Sequence, residues 1–239
     1  MHGDRRQNLL CDLLIADGHR AQILPEPEHW PRENLPPPGA LLVAPKCSPG
    51  LRDAAAEYGF RVLEYGKLPS FVRENGAVTA EGALQVAMRR RLRTLRGSDA
   101  LVIGFGGIGR PLAALLKGLG TASVGVAVRR EEQLWVLKGE GYCPMLSADL
   151  KAQVGKYDVI FNTAPELLLT GDVMEQLRPN VLIVDLASKP GGVDWKAAQK
   201  RSIKAVHALA LPGQLTPVSG ALAIRNAVYE LCEEDDYAG

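Results

Sequence analysis

The chain has 239 residues, a net charge of +1, and 46% apolar and 23% charged residues, the make-up of a globular protein of one large or two small domains. The charge balance leaves no footprint for nucleic acid, no apolar stretch reaches the roughly 20 residues that span a bilayer, and "MHGDRRQNLL" lacks the apolar core of a secretion signal. Cys11, Cys47, Cys143 and Cys232 show no CxxC spacing, which argues against a disulfide framework or a structural zinc site, predicts no metal, and points to a reducing cytoplasm.

In chain order, "LLCDLLIADG" predicts a helix ended by glycine and "HRAQIL" a strand. The proline-rich "PEPEHWPRENLPPPG" cannot be regular structure. "ALLVAP", "GLRDAAAEYG" and "RVLEY" form a strand–helix–strand unit. A long helix is predicted from Thr79 to Arg96, with Leu84, Ala87, Met88, Leu92 and Leu95 on one face, Thr79 as N-cap and Glu81 at the positive end of its dipole. Its basic end, "MRRRLRTLR", reads as a solvated face.

From residue 98 the pattern becomes regular. "ALVIGF", "SVGVAV", "DVIFNT", "VLIVDLA" and "IKAVHAL" are strands; between them lie helical patterns at Leu112, Leu115, Leu116 and Leu119, at "REEQLWVLKGEG", at "GDVMEQL" and at "DWKAAQK". This alternation builds a parallel sheet covered on both faces. Val218 to Glu233 forms a last helix with Ala221, Ile224, Val228 and Leu231 aligned, followed by a frayed acidic tail. The predicted fold is α/β: a Rossmann-type, doubly wound parallel sheet (residues 98–213) with a smaller, shortened N-terminal α/β domain (1–78), an interdomain helix (79–97) and a C-terminal helix and tail (214–239).

"LVIGFGGIGRPL" places Gly104, Gly106 and Gly109 in the G-x-G-x-x-G pattern, with Gly107 and Ile108 between. The pattern is weak alone, but here it follows a strand and opens a helix, the context in which it cradles a pyrophosphate. An NAD site would carry an acid at the end of the next strand. Arg129 and Arg130 stand there instead, residues that welcome a 2′-phosphate, so NADP is favoured over NAD. Glu131 and Glu132 follow, where acids open the next helix.

Three further stretches, "NTAPELLL", "VLIVDLASKPGGVDW" and "LALPGQLTPVSG", with "GDRRQ" and "VTAEGAL" upstream, closely resemble the A subunits of dipicolinate synthase, which are similar to two-domain hydroxyacid dehydrogenases and adenosylhomocysteinases. The resemblance implies oxidation of dihydrodipicolinate, a small dicarboxylate, to dipicolinate during spore formation, with NADP and a flavoprotein-like B subunit. It places Asp185, Ser188 and Lys189 beyond a central strand at the catalytic rim, Lys189 holding a carboxylate and Asp185 bonding a ribose or taking a proton. Gly191 and Gly192 would let the backbone approach the substrate, and Asn162, Thr163 and Pro165 end the neighbouring strand at the coenzyme. Asp4, Arg6 and Gln7 match the N-terminal motif, with Arg6 a carboxylate ligand; Thr79 and Glu81 match the motif at the interdomain helix, on the substrate side. His207 matches no family histidine and reads as a satisfied core residue.

Three departures from the family accompany the likeness. The chain starts where the family's first strand has already ended, so that strand is missing or the start is misassigned or trimmed; the segment at the proline-rich loop is short; and Val218 stands where a lysine is expected. An uncovered sheet edge would favour a homodimer. Two other readings stay open: a dehydrogenase of another cyclic imine or hydroxyacid, and a nucleotide-binding regulatory subunit without catalysis.

Overall fold

The computed structural model describes residues 5–24 and 35–237, and divides the chain into two compact units, residues 1–75 with 212–239, and residues 76–211. Asp4 lies outside the described residues. No helix among the described residues is long and apolar enough to cross a membrane.

The first unit contains α1 (Arg5–Ala16), β1 (Leu41–Ala44), α2 (Pro49–Tyr58) and β2 (Arg61–Glu64). β1 and β2 pair in parallel, Leu42 opposite Val62. Ser48 caps α2, its hydroxyl accepting from the Leu51 N–H at 3.3 Å. "HRAQIL" forms no strand: residues 19–24 belong to no helix or ladder among the described residues.

The long helix is α3 (Pro69–Arg90), ten residues earlier at its start than the periodicity predicts. Gly76 lies in its interior and reads as a helix breaker. The fold needs it there, because a Cβ would lie 2.0 Å from the Gly107 carbonyl oxygen. Thr79 is therefore a buried interior residue rather than an N-cap. Met88 is 51% exposed and Leu92, beyond the helix end, is fully exposed, so neither belongs to the buried face of Leu84, Ala87 and Leu95. Within the basic run, Arg91 departs from the solvated face and donates to the Asp158 carbonyl at 2.7 Å.

The second unit is built on β3 (Asp99–Ile103), α4 (Gly109–Gly118), β4 (Ser123–Val128), α5 (Glu132–Gly139), β5 (Cys143–Leu146), α6 (Leu150–Gln153), β6 (Val159–Asn162), α7 (Gly171–Met174), β7 (Leu182–Asp185), α8 (Trp195–Lys200) and β8 (Lys204–His207). The six strands are parallel in the order β5-β4-β3-β6-β7-β8. β5 is not foreseen from the sequence because Pro144 interrupts it; it is an edge strand, where a missing N–H is tolerated. Leu101, Ile103, Ile160 and Ile183 on one face of the sheet, and Val102, Phe161 and Val184 on the other, are completely buried.

After the short α9 (Leu211–Leu215), α10 (Pro217–Tyr237) returns to the first unit and packs on α1. Its aligned Ala221, Ile224 and Val228 meet Leu10, Leu63 and Phe71 in one core. The helix runs to Tyr237, so the acidic segment after Glu233 continues it rather than fraying at once.

One core position yields a testable consequence. The Tyr157 hydroxyl is buried without a hydrogen-bond partner among the described residues, and burial pushes its pKa up. Gly125 leaves room for it, since a Cβ there would lie 2.1 Å from the hydroxyl oxygen. Tyr157→Phe removes an unsatisfied polar group, so the variant is expected to be at least as stable as the parent, by up to about 1 kcal/mol. Gly125→Ala should be strongly destabilised by overpacking. Urea denaturation of both variants checks this, and a clear loss in Tyr157→Phe would mean that the hydroxyl is satisfied.

Candidate functional site

The glycine turn is assembled by three close approaches. β3 ends at Ile103, and the chain reverses at Gly104 with φ +91°, a conformation that glycine adopts without strain. Its N–H donates to the Ala127 carbonyl at 2.9 Å. Thr163, at the end of β6, donates its hydroxyl to the Ile103 carbonyl at 2.9 Å and sits directly behind the turn: a Cβ at Gly104 would lie 2.5 Å from that hydroxyl. At Gly109, the first residue of α4, a Cβ would lie 2.1 Å from the Gly104 carbonyl oxygen. Helix and strand therefore touch as the fingerprint requires. Gly106 is different. It is exposed, and a Cβ there would meet nothing within 4 Å. With exposed Gly107 and half-buried Ile108, it forms an open concave turn at the start of α4. Such a turn suits a phosphate, because the first amides of a helix have no intrahelical acceptor.

Beside the turn lies a cleft of about 360 Å³ lined by Phe105, Arg110, Arg130, Glu132, Gln133, Val136 and Leu137. Of the two arginines after β4, Arg130 lines the cleft and Arg129 does not; both are exposed. Two lining residues are not foreseen from the sequence. Phe105 occupies a position where the glycine fingerprint accepts any residue and Arg110 follows its last glycine, so the pattern assigns neither a role.

The rim at the ends of β6 and β7 is a buried polar knot. Asn162 and Asp185 face each other across the two strands and are completely buried. The Asn162 amide donates to the Asp185 carboxylate at 2.8 Å and to the Ala164 carbonyl at 2.9 Å. The same carboxylate accepts from the Ala187 N–H and the Gly192 N–H, both at 3.2 Å. Asp185 is thus the last residue of β7, not a residue beyond it, and it fixes the loop that follows. Both of its carboxylate oxygens are engaged by these donors. Gly191 and Gly192 are buried as well. A Cβ at Gly192 would lie 2.2 Å from the Asn162 amide nitrogen, so the knot requires a glycine here.

The loop tip carries the exposed groups. Ser188 and Lys189 are exposed, as is Pro165 on the neighbouring loop. His207, at the end of β8, is half-buried, with Nε2 3.2 Å from the Ala187 carbonyl oxygen and its ring 5.4 Å from that of Trp195. In the first unit, Arg6 donates to Asn75 at 3.4 Å and packs along Gly220, while Gln7 is exposed. Glu81 lies exposed on α3, next but one to buried Thr79.

A six-stranded parallel sheet in this order, with a glycine turn between its central strand and the following helix, defines a Rossmann-type dinucleotide-binding fold. The sequence is 32% identical over 184 residues to the A subunit of dipicolinate synthase of Bacillus subtilis (strain 168), an alignment that takes in 77% of this chain and 62% of that protein. The crystal structure of the same subunit from Bacillus subtilis superposes with a TM-score of 0.76 at 29% identity, covering 83% of this chain and 66% of the other. Its counterpart from Bacillus halodurans gives 0.73 at 26% identity, covering 80% and 65%. No family model matches the sequence. The chain is similar to the dipicolinate synthase A subunits and spans a little under two thirds of their length.

Proposed function

We propose that the chain is an NADP-dependent oxidoreductase subunit that converts dihydrodipicolinate to dipicolinate, working with a flavoprotein-like second subunit. The observation that carries this reading is the open Gly106 turn in a chain similar to the dipicolinate synthase A subunits. The residues fit a dinucleotide: glycines where a Cβ would collide, open space where a pyrophosphate would lie, and an arginine-lined cleft alongside. When bound, NADP supplies the hydride acceptor.

The chain's own residues supply position and charge. The amides of Gly106, Gly107 and Ile108 receive the pyrophosphate. Arg130, with Arg129 nearby, meets the 2′-phosphate. The Asn162–Asp185 knot holds the 186–192 loop in one shape, so that Ser188 and Lys189 are presented from a fixed support. Lys189 grips a substrate carboxylate as a point charge. Loss of a hydride and a proton makes the dihydropyridine ring aromatic, which supplies the driving force, so positioning is the main task left to the protein.

Calorimetry is expected to show NADP bound at least about tenfold more tightly than NAD, the equivalent of one charge-assisted contact. Arg130→Asp should close or reverse that gap, and more so than Arg129→Asp, because Arg130 lines the cleft. Equal affinities in the parent would overturn the coenzyme assignment. Dipicolinate formed from dihydrodipicolinate, with and without the second subunit, tests the reaction itself.

A further inference from the structure

The cleft beside the glycine turn holds a second guanidinium that the fingerprint does not account for. Arg110 is the second residue of α4, and its guanidinium carbon lies 4.6 Å from the centroid of the Phe105 ring. Phe105 is braced from another side by Tyr142, ring centroids 5.8 Å apart at 66°, and Tyr142 in turn has the Lys117 ammonium 5.5 Å from its ring. The guanidinium therefore lies near a supported aromatic surface. Stacking engages the faces of the guanidinium plane and leaves its edge, where the N–H donors lie, for an oxyanion. No hydrogen bond or ion pair among the described residues occupies the side-chain donors of Arg110. Arg130 lines the same cleft from the connection between β4 and α5.

The walls carry two arginines and one carboxylate, Glu132, so the charge of the cleft favours an anion. It adjoins the turn at the side where the strand after the first helix ends, which in this fold is the adenosine side of a dinucleotide. We propose that Arg110 is the second arm of a 2′-phosphate clamp, closing on that group opposite Arg130, with Phe105 as the surface that holds the guanidinium ready. This deepens, and rests on, the NADP reading. It assigns discrimination between the two coenzymes to a residue on the glycine-turn helix as well as to Arg130.

The test uses adenosine 2′,5′-bisphosphate and 5′-AMP, which differ only in the 2′-phosphate, titrated calorimetrically into the whole chain. The parent should bind the bisphosphate more tightly. Arg110→Gln should weaken the bisphosphate about tenfold, the order of one charge-assisted hydrogen bond, and leave 5′-AMP within about twofold. Arg110→Lys, which keeps the charge but loses the planar fork, should fall between. Unchanged thermal melting of both variants shows that the fold is intact. If Arg110→Gln weakens both ligands equally, or neither, the clamp is overturned while the NADP reading stands. If the parent itself shows no preference for the bisphosphate, both fall together.

Discussion

Asp185→Ala is expected to cost about 3–5 kcal/mol of folding stability, because it leaves several buried neutral donors without their acceptor. The carboxylate is completely buried at the end of a central strand, and three N–H donors converge on it: the Asn162 amide, the Ala187 N–H and the Gly192 N–H. Alanine leaves all three without an acceptor in a dry environment, and each buried orphan costs about 1–3 kcal/mol, although not additively. Asp185→Asn keeps the shape and should lose less, about 1–3 kcal/mol, because one oxygen survives while the new amide faces an N–H. The order Ala worse than Asn, read from urea midpoints at constant slope, is the signature of a buried acceptor. A double-mutant cycle with Asn162→Ala should give a coupling of about 1 kcal/mol or more, as expected for residues in direct contact. If Asp185→Ala stays within about 0.5 kcal/mol of the parent, typical of a surface substitution, the knot is not what holds the loop.

"VLIVDLASKPGG" shows an acid, a hydroxyl and an amine at a strand mouth, and linear spacing cannot tell which of them points inward. Pairing in the sheet decides it: Asp185 lies in register with Asn162, with both side chains buried, while Ser188 and Lys189 are carried out to solvent. The parallel sheet itself was legible, because a buried central strand such as "ALVIG" is a continuous apolar run between turn residues. β5 was not, since a four-residue edge strand containing Pro144 has neither the length nor the composition of its neighbours. The start of α3 was hidden by Gly76, a residue that local propensity penalises and that only the nearby Gly107 carbonyl explains. Phe105 and Arg110 were hidden for the opposite reason. Phe105 stands at a position that a recognised motif leaves free, and Arg110 just past the motif's last glycine.

Gly106→Val is expected to separate coenzyme binding from folding. The position is exposed, a Cβ there meets nothing within 4 Å, and φ lies outside the left-handed region, so a branched side chain fits the folded chain without strain. Its stability should stay within about 0.5 kcal/mol of the parent, as for other surface substitutions. The added methyl groups project into the space through which the turn's backbone approaches a pyrophosphate. Two charge-assisted hydrogen bonds from backbone amides, at about 1.5–2 kcal/mol each, would be lost, so NADP affinity should fall roughly a hundredfold or more. Gly109→Val provides the contrast. Its Cβ would lie 2.1 Å from the Gly104 carbonyl oxygen and 3.3 Å from the Thr163 hydroxyl, so helix and strand must separate, and stability and coenzyme affinity should both decline. Thermal melting and calorimetry on the two variants give the four values needed. A Gly106→Val chain that melts normally and binds NADP normally would show that the pyrophosphate does not lie at this turn.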